Sequence, residues 1–259
     1  MTPRERFRAS LTFGRPDKIT FRPGDPREST LAAWYRQGLP AGADYYAHLC
    51  GVLGIPPEDA GGSLRPEVSF AMIPEFEEKI LDHRDGHYLV RDWMGAVVEI
   101  QDCYDFSYLR KAKDFVTRKW HKFPVETRDD WAEMKRRYDP ASPGRFPRDF
   151  AERCAGLRGR DHVAGLDVNG PFWQLREWLG FEGLCLMFIE DPAWVHEMIE
   201  FWRDFVLAVL APTLAGFTPD YVCIHEDMAY KAHSMISPRM AREFRSEEHT
   251  SELQSRHNL

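Results

Sequence analysis

The run from about Val163 to Phe244 constrains this chain more than any other stretch, because it alternates strand and helix signals. Val163 to Asn169 reads as a strand, Gly170-Pro171 as a turn, and Phe172 to Leu179 as a helix. Asp191 is an expected N-cap with Pro192 in the first helical position, and the apolar residues that follow recur at 194/195, 198/199, 202, 205/206 and 209/210. That is the 3.6-residue period of a helix with one buried face. Pro212 and Gly216 are expected to end it, and Asp220 to Asp227 reads as the next strand. Ser237 and Pro238 then open a helix through Phe244. Strands separated by helices of this size imply an α/β fold with parallel pairing through right-handed crossovers.

After Phe244 the text changes character. Arg245 to Ser255 has no apolar face, and it resembles the conceptual translation of a short-read sequencing adapter. Residues 245–259 are therefore expected to be a non-native tail, and the domain to span 1–244.

The first half is less regular. Thr2, Pro3 and Glu5 read as the capped start of a helix over residues 2–12, and Lys18 to Phe21 as a short strand. Ser29 or Thr30 is expected to cap a helix that Gly38 closes, and the Gly- and Pro-rich stretch 51–66 reads as loop. His87 to Ile100 has the alternation of a β-hairpin turning at Met94-Gly95. Thr127 and Asp130 form the signature of a capped helix running toward Asp139-Pro140, and 139–149 reads as loop.

Apolar residues make up 43% of the 259, enough for one large core, and the net charge of −7 leaves no electrostatic footprint for nucleic acid. No segment approaches the roughly 20 apolar residues of a membrane span. Five cysteines without a Cys-x-x-Cys pair fit reduced thiols in the cytoplasm.

Alternation within the two strands locates candidate chemistry. Leu166 and Val168 share one face, as do Val222 and Ile224, and both pairs suit contact with outer helices. The opposite faces carry Gly165, Asp167 and Asn169, and Cys223, His225 and Asp227, with polarity rising toward the carboxyl ends where barrel enzymes build their sites. A buried carboxylate there must be paired or protonated, so Asp167 and Asp227 are candidate acid/base groups; Asp167 and Asn169 read equally well as loop caps. Cys223-x-His225 places a thiol and an imidazole on one face, but two ligands do not make a zinc site, and Cys223 is expected to be a small core residue rather than a ligand. Arg22, Arg27 and Arg176 lie beyond expected strand ends, where guanidinium groups can hold carboxylates or serve as ordinary surface charge. Phe172, Trp173, Trp178 and Phe181 form an aromatic cluster suited to core or pocket wall.

At these residues the chain resembles the uroporphyrinogen decarboxylase superfamily. The likeness rests on Met1 to Arg6 opening a helix, Arg15-Pro-Asp17 before the first strand, Gly170-Pro-Phe-Trp-Gln-Leu-Arg-Glu-Trp-Leu-Gly180, Asp191-Pro with its long helix, and Asp220 to Met228 followed by Ile236-Ser-Pro238. It implies a (β/α)8 TIM barrel with about its first half in this chain, which would leave the isolated chain insoluble or partly folded. It also implies one of two chemistries. The first is cofactor-free decarboxylation of porphyrinogen acetate arms, a carboxy-lyase reaction on a small-molecule substrate. In that case Asp167, His225, Glu226 and Asp227 are the catalytic candidates, with Arg22, Arg27, Asn169, Arg176 and Trp178 against substrate. The second is methyl transfer with zinc and a corrinoid protein partner. A third expectation is an inactive fragment. The sequence departs from the decarboxylase pattern, because Phe21-Arg22-Pro-Gly-Asp-Pro-Arg27 stands where the family has an Arg-Gln-Ala-Gly-Arg-Tyr stretch. Trp178 stands for the family's site tyrosine, and the zinc-binding His-x-Cys would fall after residue 244.

Overall fold

The structure, a computed structural model, describes residues 1–18, 20, 24–56, 63–103, 110, 118–229 and 231–244. Arg22, Ile19 and Phe21 of the expected 18–21 strand, and the tail 245–259 lie outside them. The fold is mixed α/β. Three helices open the chain: α1 (Pro3–Leu11), α2 (Glu28–Arg36) and α3 (Tyr45–Leu53). Thr2 and Glu5 form the expected capping box on α1. The start of α2 is earlier than expected, at an Arg27 N-cap without a side-chain cap. Residues 51–53, expected as loop, end α3, which Asp44 caps through the Tyr46 and Ala47 N–H groups.

Strands β1 (Lys79–Arg84), β2 (His87–Arg91), β3 (Val97–Gln101) and β4 (Arg118–Lys122) form an antiparallel sheet in that order. The β2–β3 hairpin is the expected one, and Gly95, at φ +91°, supplies the left-handed residue of its turn. The outer strands β1 and β4 were not anticipated. Their residues are almost all exposed, so they lack the alternation that marks a half-buried strand.

The second half follows the expected alternation: α4 (Arg128–Arg136), α5 (Phe150–Gly156), β5 (Gly165–Asn169), α6 (Pro171–Leu179), α7 (Phe181–Glu190), α8 (Pro192–Gly216), β6 (Tyr221–His225) and α9 (Pro238–Phe244). Asp191 caps α8 by accepting the Trp194 N–H, while Pro212 is carried inside that helix. Helices α5 and α7 are additional. Strands β5 and β6 pair in parallel, with Asp167 opposite Cys223 and Asn169 opposite His225. Leu64 adds a third parallel partner, pairing with Ala164 on the other side of β5. No closed barrel forms among the described residues.

The main core lies between α4, α6, α7 and α8. Trp178 is wholly buried there, 4.9 Å from the Trp131 ring and 5.4 Å edge-on to Tyr138. Val168 packs into this core, and Leu166 into a separate cluster with Cys154, Leu157 and Phe217, so both are buried as expected. Val222 and Ile224 do not: they are 42% and 55% exposed, because no described helix covers the outer face of β6. At the other end of the strands, buried Asp220 accepts from Arg4, Arg160 and the Ala164 N–H, joining α1, the β5 approach and the β6 approach through one carboxylate.

Candidate functional site

The carboxyl ends of β5 and β6 open on a cavity of about 400 Å³. Because side chains alternate along a strand, the pairing that buries Leu166 and Val168 turns Asp167 and Asn169 toward it, with His225 beside them. His225 Nε2 lies 3.0 Å from Asp167 Oδ1, and Arg65 Nη2 lies 2.6 Å from Asp167 Oδ2. The Arg65 contact is an ion pair without good hydrogen-bond direction, since Oδ2 has no well-aligned donor among the described residues. The Asp167 side chain is 20% exposed and His225 47%, so this charge group is half in water. Asn169 is tied down on both sides. Its amide donates to Gln174 Oε1 at 3.1 Å, and its carbonyl accepts the Trp202 indole N–H at 2.8 Å.

Helix α6 forms another wall. Gln174 and Glu177, one turn apart, both face the cavity. Glu177 accepts the Trp173 indole N–H at 2.7 Å, and Gln174 donates to the Tyr138 hydroxyl at 3.1 Å. Burial pushes the Glu177 carboxyl above its ordinary value, against the Trp173 hydrogen bond and the Arg176 charge, with Asp92 adding to the rise. Burial likewise pushes the Tyr138 phenol up, which keeps it neutral. Glu177 thus combines a cavity position with a carboxyl held toward its protonated form, the properties of a proton donor.

The remaining expected site residues are placed elsewhere. Glu226 caps α6: its two carboxylate oxygens accept the Phe172 and Trp173 N–H groups at 3.0 and 2.8 Å, where the helix dipole favours a negative charge. Gly170 makes that approach possible, because a Cβ there would collide with the Glu226 carboxyl. Asp227 is not the buried carboxylate expected of it. It is 54% exposed and meets Arg176 Nη1 only at 3.5 Å, because the chain has left the sheet after His225. Arg176 stacks over Trp173 at 4.9 Å and does not line the cavity. Trp178 is core rather than substrate wall, sealed beneath α8 with its indole N–H on Tyr138. Arg27 is exposed at the start of α2, away from the cavity lining, and Arg22 is outside the described residues.

Sequence reasoning missed Arg65 and Glu177. Arg65 sits in a Gly- and Pro-rich segment with no periodicity to read. Glu177 did carry a signal: a carboxylate at i+3 from Gln174 and i+4 from Trp173, which puts two polar groups on one face of the helix. Cys223 also departs from the expected buried core residue. It is partly exposed, and one donor atom each from Asp167, Cys223 and His225 lie within 4.8 Å of one another. All five cysteines are free thiols. No described helix is long and apolar enough to cross a membrane. Comparison with protein-family models, curated proteins and solved structures found no match.

Proposed function

We propose that this chain is a divergent carboxy-lyase of the uroporphyrinogen decarboxylase type, with β5 and β6 as neighbouring strands of a (β/α)8 barrel wall. The observation that carries the reading is the Asp167–His225 pair, with Arg65 on the same carboxylate, at the carboxyl ends of parallel strands over a 400 Å³ cavity. Barrel enzymes assemble their sites at that end. Decarboxylation of an acetate arm on a pyrrole ring needs three things. A cation must hold the substrate's carboxylates, an acid must protonate the ring, and an anion must stabilise the cationic ring that takes up the electron pair when the C–C bond to CO2 breaks. Arg65, half exposed, is the cation within reach of Asp167; Glu177 is the acid; Asp167 is the anion. Loss of CO2 leaves a neutral exocyclic methylene; a proton delivered to that carbon and return of the first proton from the ring to Glu177 give the methyl product with one proton taken up overall.

The test is turnover of uroporphyrinogen, read as porphyrin products with fewer carboxylates. Asp167→Asn and Glu177→Gln should each lower kcat by about 100-fold or more, the usual contribution of a positioned acid or base. Folded protein with no turnover overturns the reading.

A further inference from the structure

The geometry points to a zinc site made by Asp167, Cys223 and His225 on the inward face of the β5–β6 pair, distinct from the decarboxylase chemistry and in competition with it for Asp167. The register places Cys223 directly opposite Asp167, and the two-residue period puts His225 on the same face as Cys223. Carboxylate, thiol and imidazole donors therefore converge from two adjacent strands, with one donor atom of each inside a 4.8 Å span. In a tetrahedral zinc site with bonds of about 2.0 Å to oxygen and nitrogen and about 2.3 Å to sulfur, donors lie about 3.3–3.6 Å apart. The Asp167 Oδ1 to His225 Nε2 distance of 3.0 Å needs to open by only a few tenths of an ångström.

Ligand chemistry selects the ion. A thiolate with an imidazole disfavours Mg2+ and Ca2+ and suits zinc, and three protein ligands leave a fourth position for water or substrate. Asp167 and His225 both line the cavity, so that open position faces the space where a small molecule would bind. Arg65 does not oppose the site. It contacts the other oxygen, Oδ2, and can remain there as the outer partner that orients the carboxylate. These residues are also separate from the His-x-Cys pair that the family resemblance would set after residue 244. Without an ion, the same three residues are simply a hydrogen-bonded Asp–His pair beside a thiol, and the experiment discriminates the two.

Tag-free full-length protein is stripped with chelator and titrated with Zn2+, and thiol alkylation is mapped by mass spectrometry; Co2+ replaces zinc in a parallel titration. The expected result is one ion per chain, slowed alkylation at Cys223 but not at exposed Cys103, and a thiolate-to-cobalt charge-transfer band. That band should vanish in Cys223→Ser and His225→Gln, and Arg65→Met should weaken zinc binding about 10-fold. Absence of protection at Cys223, or a band that survives Cys223→Ser, overturns the site. Protection and alkylation are read on the unaltered protein, so a variant that fails to fold does not obscure the outcome. Uroporphyrinogen turnover by zinc-free protein with no protection at Cys223 would sink this inference and leave the decarboxylase reading intact. Stoichiometric zinc without turnover would do the reverse.

Discussion

Asp220 offers the sharpest energetic test, because one carboxylate with a 2% exposed side chain joins three parts of the chain. Its Oδ1 accepts from Arg4 Nε at 2.8 Å; its Oδ2 accepts from Arg160 Nη2 at 2.8 Å, Arg160 Nε at 3.2 Å and the Ala164 N–H at 3.0 Å. Asp220→Asn keeps the shape. The amide oxygen will take the Oδ2 position, where three donors converge, which leaves the new NH2 facing Arg4. The variant loses one charge-assisted bond of about 1.5–3 kcal/mol and the negative charge that balances buried Arg160. Arg4, a quarter exposed, can turn to water, which holds the total near 3 kcal/mol. With m of about 3 kcal/mol/M for a chain this size, the urea midpoint at pH 7 should fall by about 1 M at unchanged m. Burial pushes the Asp220 carboxyl up, but the Ala164 N–H, Arg4 and Arg160 outweigh it and hold the carboxyl below its ordinary value. A depressed folded-state pKa contributes stability that is present above the unfolded value near 4 and lost as pH falls through the folded value. The gap between wild type and Asp220→Asn should therefore close on acidification. A midpoint drop under about 0.3 M at pH 7, or a gap that widens in acid, refutes the reasoning.

Three further outcomes are expected. Trp178→Ala should cost about 3–5 kcal/mol in denaturant unfolding, since it opens a cavity in the aromatic core; a value under about 1 would place Trp178 outside it. Glu226→Gln should lower stability by about 1 kcal/mol by weakening the α6 cap, and Gly170→Ala should cost more because its Cβ displaces the Glu226 carboxyl. Glu177 has a raised folded-state value, so it costs stability as pH rises from its unfolded value near 4.3 through the folded one. Glu177→Gln should remove that loss, and identical pH–stability curves for the two proteins would contradict the assignment.

The elements legible in the sequence are those whose signals are local. The capping box at Thr127-Asp130, the Asp191-Pro192 start of α8 and the alternation of β5 each place a named group where it must lie to satisfy a backbone N–H or to bury one face. Strands β1 and β4 escaped because exposed strands need no apolar alternation; their partners, not their own residues, make them strands. Helix α7 escaped because Phe181 to Ile189 is apolar nearly all round, a pattern shared by strand and helix.

The candidate site divides in the same way. Periodicity alone put Asp167 and Asn169 on one face of a strand, and Cys223 and His225 on one face of another. Only the parallel register decided that Asp167 meets Cys223 and His225. Only three-dimensional proximity brought in Arg65, which precedes Asp167 by 102 positions, and Glu177 from the neighbouring helix. Tertiary structure also reassigned Glu226, whose carboxylate is held by two helix N–H groups, and Trp178, which the packing of α8 over α6 seals into the core. Local sequence determines which way a side chain points from its own backbone, because sterics and backbone hydrogen bonding act over a few residues. What it points at depends on contacts between distant segments, and those exist only once the core has closed.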